Sequence, residues 1–398
     1  MGTQLTDYLV IGKGLIGSAA ARYLGITGKN VVLIGPDEPD DWNTHPGAFS
    51  SHYDQSRIIR SHDPDPVWGE LALRSIAQYQ TLENESGIPF YFATGGLRVG
   101  GDSTHWTGSP PKTDAAYAHV VSEFEAHDEQ GLRNTFPYLC FPDGFSGFTE
   151  RKSAGYINPR ALLRAQVRLA EIAGVDIVSA QVDTVEKKTG GIEIKTTDDQ
   201  IYMARRVLIA AGAYSNTLLT RPLDLIPKKR TVVLAKLTVE EVARLREMPT
   251  IIYQRPFDPS LTSVYILPPV QYPDGNFYIK IGGDNEPANE AHTADALQAW
   301  FRSGGSVADA AALKTALLSV IPRLSATSFH QRPCVVTYTS TKRPFIDQVD
   351  DGLYVATGGC GSAAKSSNEI GRLAAELVHN GEWEEKEFGA GTFHACWS

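Results

Sequence analysis

The chain reads as an α/β fold of more than one domain, and three observations predict it. A short apolar run, Tyr8–Ile11, enters the turn Gly12-Lys13-Gly14-Leu15-Ile16-Gly17 and leaves as the small-residue helix Ser18–Leu24, with a second apolar run, Val31–Ile34, after Gly28. Strand, glycine turn, helix and strand in that order open a parallel sheet. A similar transition recurs near the end, where the strand Leu353–Thr357 meets Gly358-Gly359-Cys360-Gly361-Ser362 and a helix over Asn368–Leu377. The third observation is length: 398 residues exceed one ordinary core at roughly 150 residues per domain.

Composition narrows the class. No run reaches the 18 or so apolar residues of a membrane span, and the first thirty residues lack the charged, apolar and cleavage regions of a secretory signal, so a cytoplasmic protein without membrane attachment is expected. Cys140, Cys334, Cys360 and Cys396 form no CxxC pair, which argues against a disulfide framework and a metal site. A net charge of −9 without a Lys/Arg block makes nucleic acid an unlikely partner.

The N-terminal turn carries a dinucleotide-binding pattern. Gly12 permits the tight turn, Gly14 lets backbone approach a pyrophosphate, Gly17 lets the helix pack on the strand, and Leu15 and Ile16 place the helix N-terminus where phosphate charge is favoured. The acidic residue expected at the end of the second strand is replaced by Gly35. Asp37 stands in for it, or forms a solvated turn with Glu38 before Pro39.

Further along, Ser51-His52-Tyr53-Asp54-Gln55-Ser56-Arg57-Ile58-Ile59-Arg60 offers two arginines suited to planar pairing with a carboxylate; without other context they read equally well as solvated loop charges. Gly155-Tyr156-Ile157-Asn158-Pro159 leads into an amphipathic helix over Arg160–Ala173, and Val175–Val185 reads as a pair of strands. Ala204–Ser215 is an apolar strand ending in the small residues Ala210, Ala211 and Gly212, as needed where backbone meets a cofactor. In Phe277-Tyr278-Ile279-Lys280-Ile281-Gly282-Gly283 a lysine interrupts apolar neighbours on both faces; it either protects a sheet edge or has a chemical role. Cys334, taken alone, is by default a small buried hydrophobe.

Together these blocks resemble the flavin-dependent amine oxidases of the D-amino-acid oxidase superfamily. They are most similar to the branch of monomeric sarcosine, N-methyltryptophan, pipecolate and fructosyl-amino-acid oxidases. The resemblance implies a Rossmann-like FAD-binding domain and a substrate domain on a mixed β-sheet, α+β overall. It implies that FAD is held by Gly12, Gly14, Leu15, Ile16, Gly17, Asp37, Ser51, His52, Arg57, Val182, Ala211, Gly212, Gly359, Gly361 and Lys365. Cys334 would bond covalently to the flavin. Lys280 would promote the reaction of reduced flavin with oxygen, with Arg57 beside the ring, and Arg60 and Lys365 would clamp a substrate carboxylate. Tyr265 would form an aromatic wall. Two positions depart from the branch: Asp284 replaces a histidine and Val336 a tyrosine, which changes the amine end of the pocket. Asp284 would attract a cationic or bulkier amine, or face solvent.

The expected FAD domain comprises residues 1–90, 150–220 and 333–398, and the expected substrate domain residues 91–149 and 221–332. The expected reaction is oxidation of the C–N bond of a secondary amine, an N-alkyl or cyclic amino acid, by a monomer with oxygen as acceptor. The alternatives are a glycated-amino-acid oxidase and a flavin amine dehydrogenase passing electrons to a carrier.

Overall fold

A computed structural model describes residues 5–100, 123–254, 261–285, 289–389 and 391–398. Leu5–Ile11 is the centre of the first sheet and pairs in parallel with Val31–Ile34 on one side and Ile201–Ile209 on the other. Alternation sorts their side chains onto two faces. Val10, Leu33 and Leu208 join the core formed with the helices Leu15–Gly25 and Ala363–Asn380, whereas Leu9, Ile11, Val32, Ile34, Val207 and Ile209 pack on the opposite side. Leu353–Thr357 extends the sheet beside Ile201–Ile209, so both glycine turns leave the sheet from parallel strands.

Gly12 and Gly17 make the first turn possible. Gly12 has φ +112°, and a Cβ there would lie 2.4 Å from the Ala210 carbonyl oxygen; a Cβ on Gly17 would lie 1.9 Å from the Gly12 carbonyl oxygen. Both distances are impossible contacts, so the motif is dictated by backbone crowding.

The second sheet runs in the order Ala326–Thr339, Leu225–Leu237, Phe277–Asn285, Leu261–Gln271, Thr250–Gln254, Gly96–Gly100, Ser146–Glu150 and Phe124–His127. It is mixed, because Thr250–Gln254 runs parallel to Gly96–Gly100 while its other pairings are antiparallel. One face, including Val233, Ala235, Ile279 and Ile281, packs on the helix Val307–Val320. The residues between them point the other way. Cross-strand register places Lys280 opposite Leu234 and Leu267, Gly282 opposite Val232 and Tyr265, and Arg230 opposite Cys334. The strand containing Cys334 belongs to this second sheet along its whole length.

Lys280 therefore lies on a central strand with a side chain 1% exposed, which removes the edge-protection reading. The helix expected over Arg160–Ala173 is Pro159–Ile172, capped by the Asn158 side chain. The C-terminal helix begins earlier than its periodicity suggested, at Ala363, which puts Lys365 in its first turn. The long helix Pro66–Ser86, opened by an Asp65 cap and closed by left-handed Gly87, lies in a stretch for which the sequence pattern gave no element. No helix among the described residues is long and apolar enough to cross a membrane.

Candidate active site

A cavity of about 520 Å³ lies between the two sheets. One end is walled by Gly12, Gly14, Leu15 and Ile16 of the first turn, by Gly35 after the second strand, by Val182, and by Ala210, Ala211 and Gly212. The other is walled by Arg60, Arg98, Arg230, Tyr265, Asp284, Val336 and Tyr338, with Ser51, His52, Arg57, Cys334, Gly359, Gly361 and Lys365 also lining it. The structure thus gathers every site residue expected from the sequence except Gly17, Asp37 and Lys280. Gly17 serves the turn itself, Asp37 lines a small adjoining cleft that shares Lys13, Pro36 and His52 with the cavity, and Lys280 lies behind the wall.

Asp37 is turned away by local geometry. Its carboxylate pairs with Lys13 at 2.5 Å and its side chain is 68% exposed. Lys13 also donates to Ser179 Oγ at 2.8 Å. Gly35 is enforced by the same loop, since a Cβ there would meet the Lys13 nitrogen at 2.3 Å.

The nucleotide end suits an extended anionic cofactor. A Cβ on Gly14 would meet nothing within 4 Å, so the backbone is open to a ligand, and the N-termini of Leu15–Gly25 and Ala363–Asn380 both border the cavity. His52 is driven down to about 3 by burial and by Arg160, Arg57 and Lys13 around it. It is neutral at physiological pH among these cations.

At the far end Asp63 joins two cations. Its Oδ2 accepts from Arg60 Nη2 at 2.8 Å and lies 3.3 Å from Lys365 Nζ, which also donates to the Trp68 carbonyl at 2.8 Å. Burial would raise the Asp63 carboxyl, but Lys365 and Arg60 hold it at about 2. Burial lowers Lys365 to about 8 despite Asp63, with Arg60 adding to the fall. Arg60 Nε is buried with no hydrogen-bond partner among the described residues, which marks a donor suited to an incoming anion. Arg98 lines the same region and is lowered to about 10 by burial and by Arg60. Sequence reasoning missed it, although a lone arginine in Gly96-Leu97-Arg98-Val99 is the same signal that singled out Lys280.

Near Cys334 a second set of charges converges. Arg57 Nη2 is 4.0 Å from the Cys334 sulfur and donates to the Ser51 carbonyl at 2.9 Å, while its Nη1 pairs with Asp54. Asp54 Oδ2 also receives Lys280 Nζ at 2.7 Å, and its Oδ1 receives Tyr272 OH at 2.8 Å. Although burial opposes ionisation, Lys280 and Arg57 hold the Asp54 carboxyl far below the usual range. Tyr265 is half-buried, with its phenol pushed up by desolvation; Gly282 opposite leaves space for the ring, since a Cβ there would lie 2.3 Å from the Tyr265 oxygen. Asp284 is no free surface acid. It pairs with Arg230 at 3.2 Å, and Ser263 Oγ lies 3.4 Å from its other oxygen. Asp54 and Asp63 each pair with an arginine three residues along, Arg57 and Arg60, but their lysine partners and the Arg230–Asp284 pair come together only in the tertiary fold.

The arrangement brings a nucleotide cradle, a thiol beside a guanidinium and a two-cation anion site into one cavity. N-methyl-L-tryptophan oxidase of Yersinia pestis is 27% identical over 215 residues, 54% of this chain and 55% of that protein, so the chain spans about half the length of the curated relatives it matches. Among solved structures the fold is similar to NikD, an unusual amino acid oxidase essential for nikkomycin biosynthesis, with a TM-score of 0.77, 19% identity and coverage of 100% of this chain and 98% of that one. It is likewise similar to Amadoriase II, a deglycating fructosamine oxidase from Aspergillus fumigatus, with a TM-score of 0.72, 21% identity and coverage of 96% and 88%. The family model described as FAD dependent oxidoreductase matches residues 7–377, which include both glycine turns and both sheets, and the chain belongs to that family.

Proposed function

We propose that this protein oxidises the C–N bond of a secondary amine carrying a carboxylate, an N-alkyl or cyclic amino acid, with oxygen as the electron acceptor. The observation that carries the reading is the anion site at the cavity wall, where Arg60 and Lys365 share the single carboxylate of Asp63. Two cations against one acid leave a net positive charge, and Arg60 Nε, without a hydrogen-bond partner among the described residues, supplies a donor. The relatedness to N-methyl-L-tryptophan oxidase supports the same substrate class.

FAD would supply the chemistry by accepting a hydride equivalent from the amine, which leaves as an imine that water hydrolyses, and by passing two electrons to oxygen, which with two protons gives hydrogen peroxide. The chain's own residues bind and orient. Gly12, Gly14 and the first helix would hold the pyrophosphate, and Val182 would border the adenine. Arg60 and Lys365 would fix the carboxylate, so that the amine end faces Tyr265, Val336 and the Asp284–Arg230 pair. Cys334, on the strand facing the cavity, would anchor the flavin covalently, with Arg57 beside it. Lys280 would contribute positive charge to the oxygen reaction from behind the wall. The FAD domain would be drawn from residues 1–90, 150–220 and 333–398 and the substrate domain from 91–149 and 221–332, of which 101–122, 255–260 and 286–288 lie outside the described residues. The strand that spans residue 333 would be shared at their boundary.

A screen of N-methyl, cyclic and glycated amino acids, reading both peroxide and reduction of an electron-accepting dye, tests the proposal. Peroxide from an N-methyl or cyclic amino acid is the expected result. Turnover of glycated substrates alone would favour the fructosyl reading, and dye reduction without peroxide would favour a dehydrogenase.

A further inference from the structure

Lys280 needs a counter-charge that its own sheet does not provide. Its register partners are Leu234 and Leu267, and its side chain is 1% exposed, so an ammonium there is costly unless paired. The pairing comes from the loop before Arg57. Nζ donates to Asp54 Oδ2 at 2.7 Å and to the Ser56 carbonyl. The carboxylate is fixed independently of the lysine, because its Oδ1 accepts from Tyr272 OH at 2.8 Å and from the Gln55 nitrogen at 2.7 Å. Arg57 shares it from the cavity side. The remaining groups facing Lys280 are Tyr265, whose ring centroid is 5.8 Å from Nζ, and Cys334.

We propose that Asp54 is a positioning residue that keeps Lys280 protonated and fixed behind the flavin wall, and that it governs the oxygen reaction through Lys280. The proposal rests on the reading of Lys280 given above. Asp54 is the only carboxylate in contact with Lys280 among the described residues. Burial and the Arg57 charge both act to strip the proton from Lys280, bringing it to about 8, and Asp54 is the principal group opposing them. An Asp54→Asn change keeps the side chain's size and removes that opposition. Lys280 then loses its proton at a lower pH and a smaller fraction of it is charged under neutral conditions.

The test uses holoenzyme labelled with carbon-13 lysine, in which the Lys280 Cε resonance is assigned by its disappearance in Lys280→Met. The wild-type resonance titrates near 8, and Asp54→Asn lowers the midpoint by at least about one unit, a tenfold change in the protonation constant. Reoxidation of the reduced protein by oxygen slows in the same variant near neutral pH and recovers on acidification. Asp54→Asn has no further effect on reoxidation in a Lys280→Met background. Should Asp54→Asn fail to fold, Tyr272→Phe serves: it removes one donor to the carboxylate, makes that carboxylate more basic and raises the Lys280 midpoint. An unmoved midpoint in either variant overturns the proposal. If the midpoint moves as expected but Lys280→Met reoxidises normally, the coupling stands and the oxygen role given to Lys280 fails; if Lys280→Met is slow while the Asp54→Asn midpoint is unmoved, the inference about Asp54 fails by itself.

Discussion

Replacing Lys365 with methionine separates a carboxylate clamp from a structural lysine. Lys365 is buried, donates to the Trp68 carbonyl at 2.8 Å and lies 3.3 Å from Asp63, which Arg60 also holds at 2.8 Å. In the wild-type site Arg60 and Lys365 both face Asp63; in Lys365→Met the Arg60–Asp63 pair remains and the site loses one positive charge. A substrate carboxylate then loses one hydrogen bond to a charged group, worth about 1.5–3 kcal/mol. That corresponds to a fall in kcat/KM of about 10- to 150-fold. The assay compares an N-methyl amino acid with the same amine lacking its carboxylate. The carboxylated substrate loses the full factor and the amine almost nothing. An equal loss for both would show that Lys365 only holds the fold, and no loss for either would remove it from the site. The pH profile adds an internal check. Because Lys365 titrates at about 8, kcat/KM for the carboxylated substrate declines as pH rises through that value, while the ratio to the amine without a carboxylate converges in Lys365→Met.

Other consequences of the same geometry are open to measurement. Acid-precipitated protein stays yellow and Cys334→Ser releases the colour; release from the wild-type protein would exclude a covalent bond at Cys334. Lys280→Met slows reoxidation by oxygen far more than reduction by substrate, whereas equal slowing of both half-reactions would remove its assigned role. Asp63, held at about 2 against 3.8 when unfolded, contributes stability that is present above pH 4 and lost as pH falls through its folded value. The shift is worth about 2 kcal/mol, so denaturant unfolding of Asp63→Asn shows a weaker decline between about pH 4 and pH 2 than the wild-type protein. Gly17→Ala forces a Cβ against the Gly12 carbonyl oxygen at 1.9 Å and abolishes flavin retention; wild-type flavin content in that variant would mean the turn can open without cost.

What the sequence disclosed follows the range of the forces involved. The first turn was legible because glycine crowding and the alternation of Tyr8–Ile11 are local, and the structure shows the same strand, turn and helix. Lys280 was legible as an anomaly within a strand, but its partner was not. Asp54 lies 226 positions away, and its carboxylate looks like an ordinary loop acid until the chain folds. Cross-strand register was equally hidden. Arg230 faces Cys334 across two antiparallel strands, and Asp284, its side chain 46% exposed, pairs with Arg230 at the cavity wall, a partnership no local pattern contains. Asp37, two residues after Gly35, shows how a local position can acquire a distant partner: its carboxylate pairs with the Lys13 side chain.

The most direct measurement of the central claim is a single anaerobic turnover. Yellow holoenzyme mixed without oxygen with an N-methyl or cyclic amino acid should bleach, with one imine formed per flavin. Admitting oxygen should restore the colour and release one hydrogen peroxide. Failure of every such amino acid to bleach the flavin, with ready bleaching by a reduced nicotinamide instead, would contradict the account.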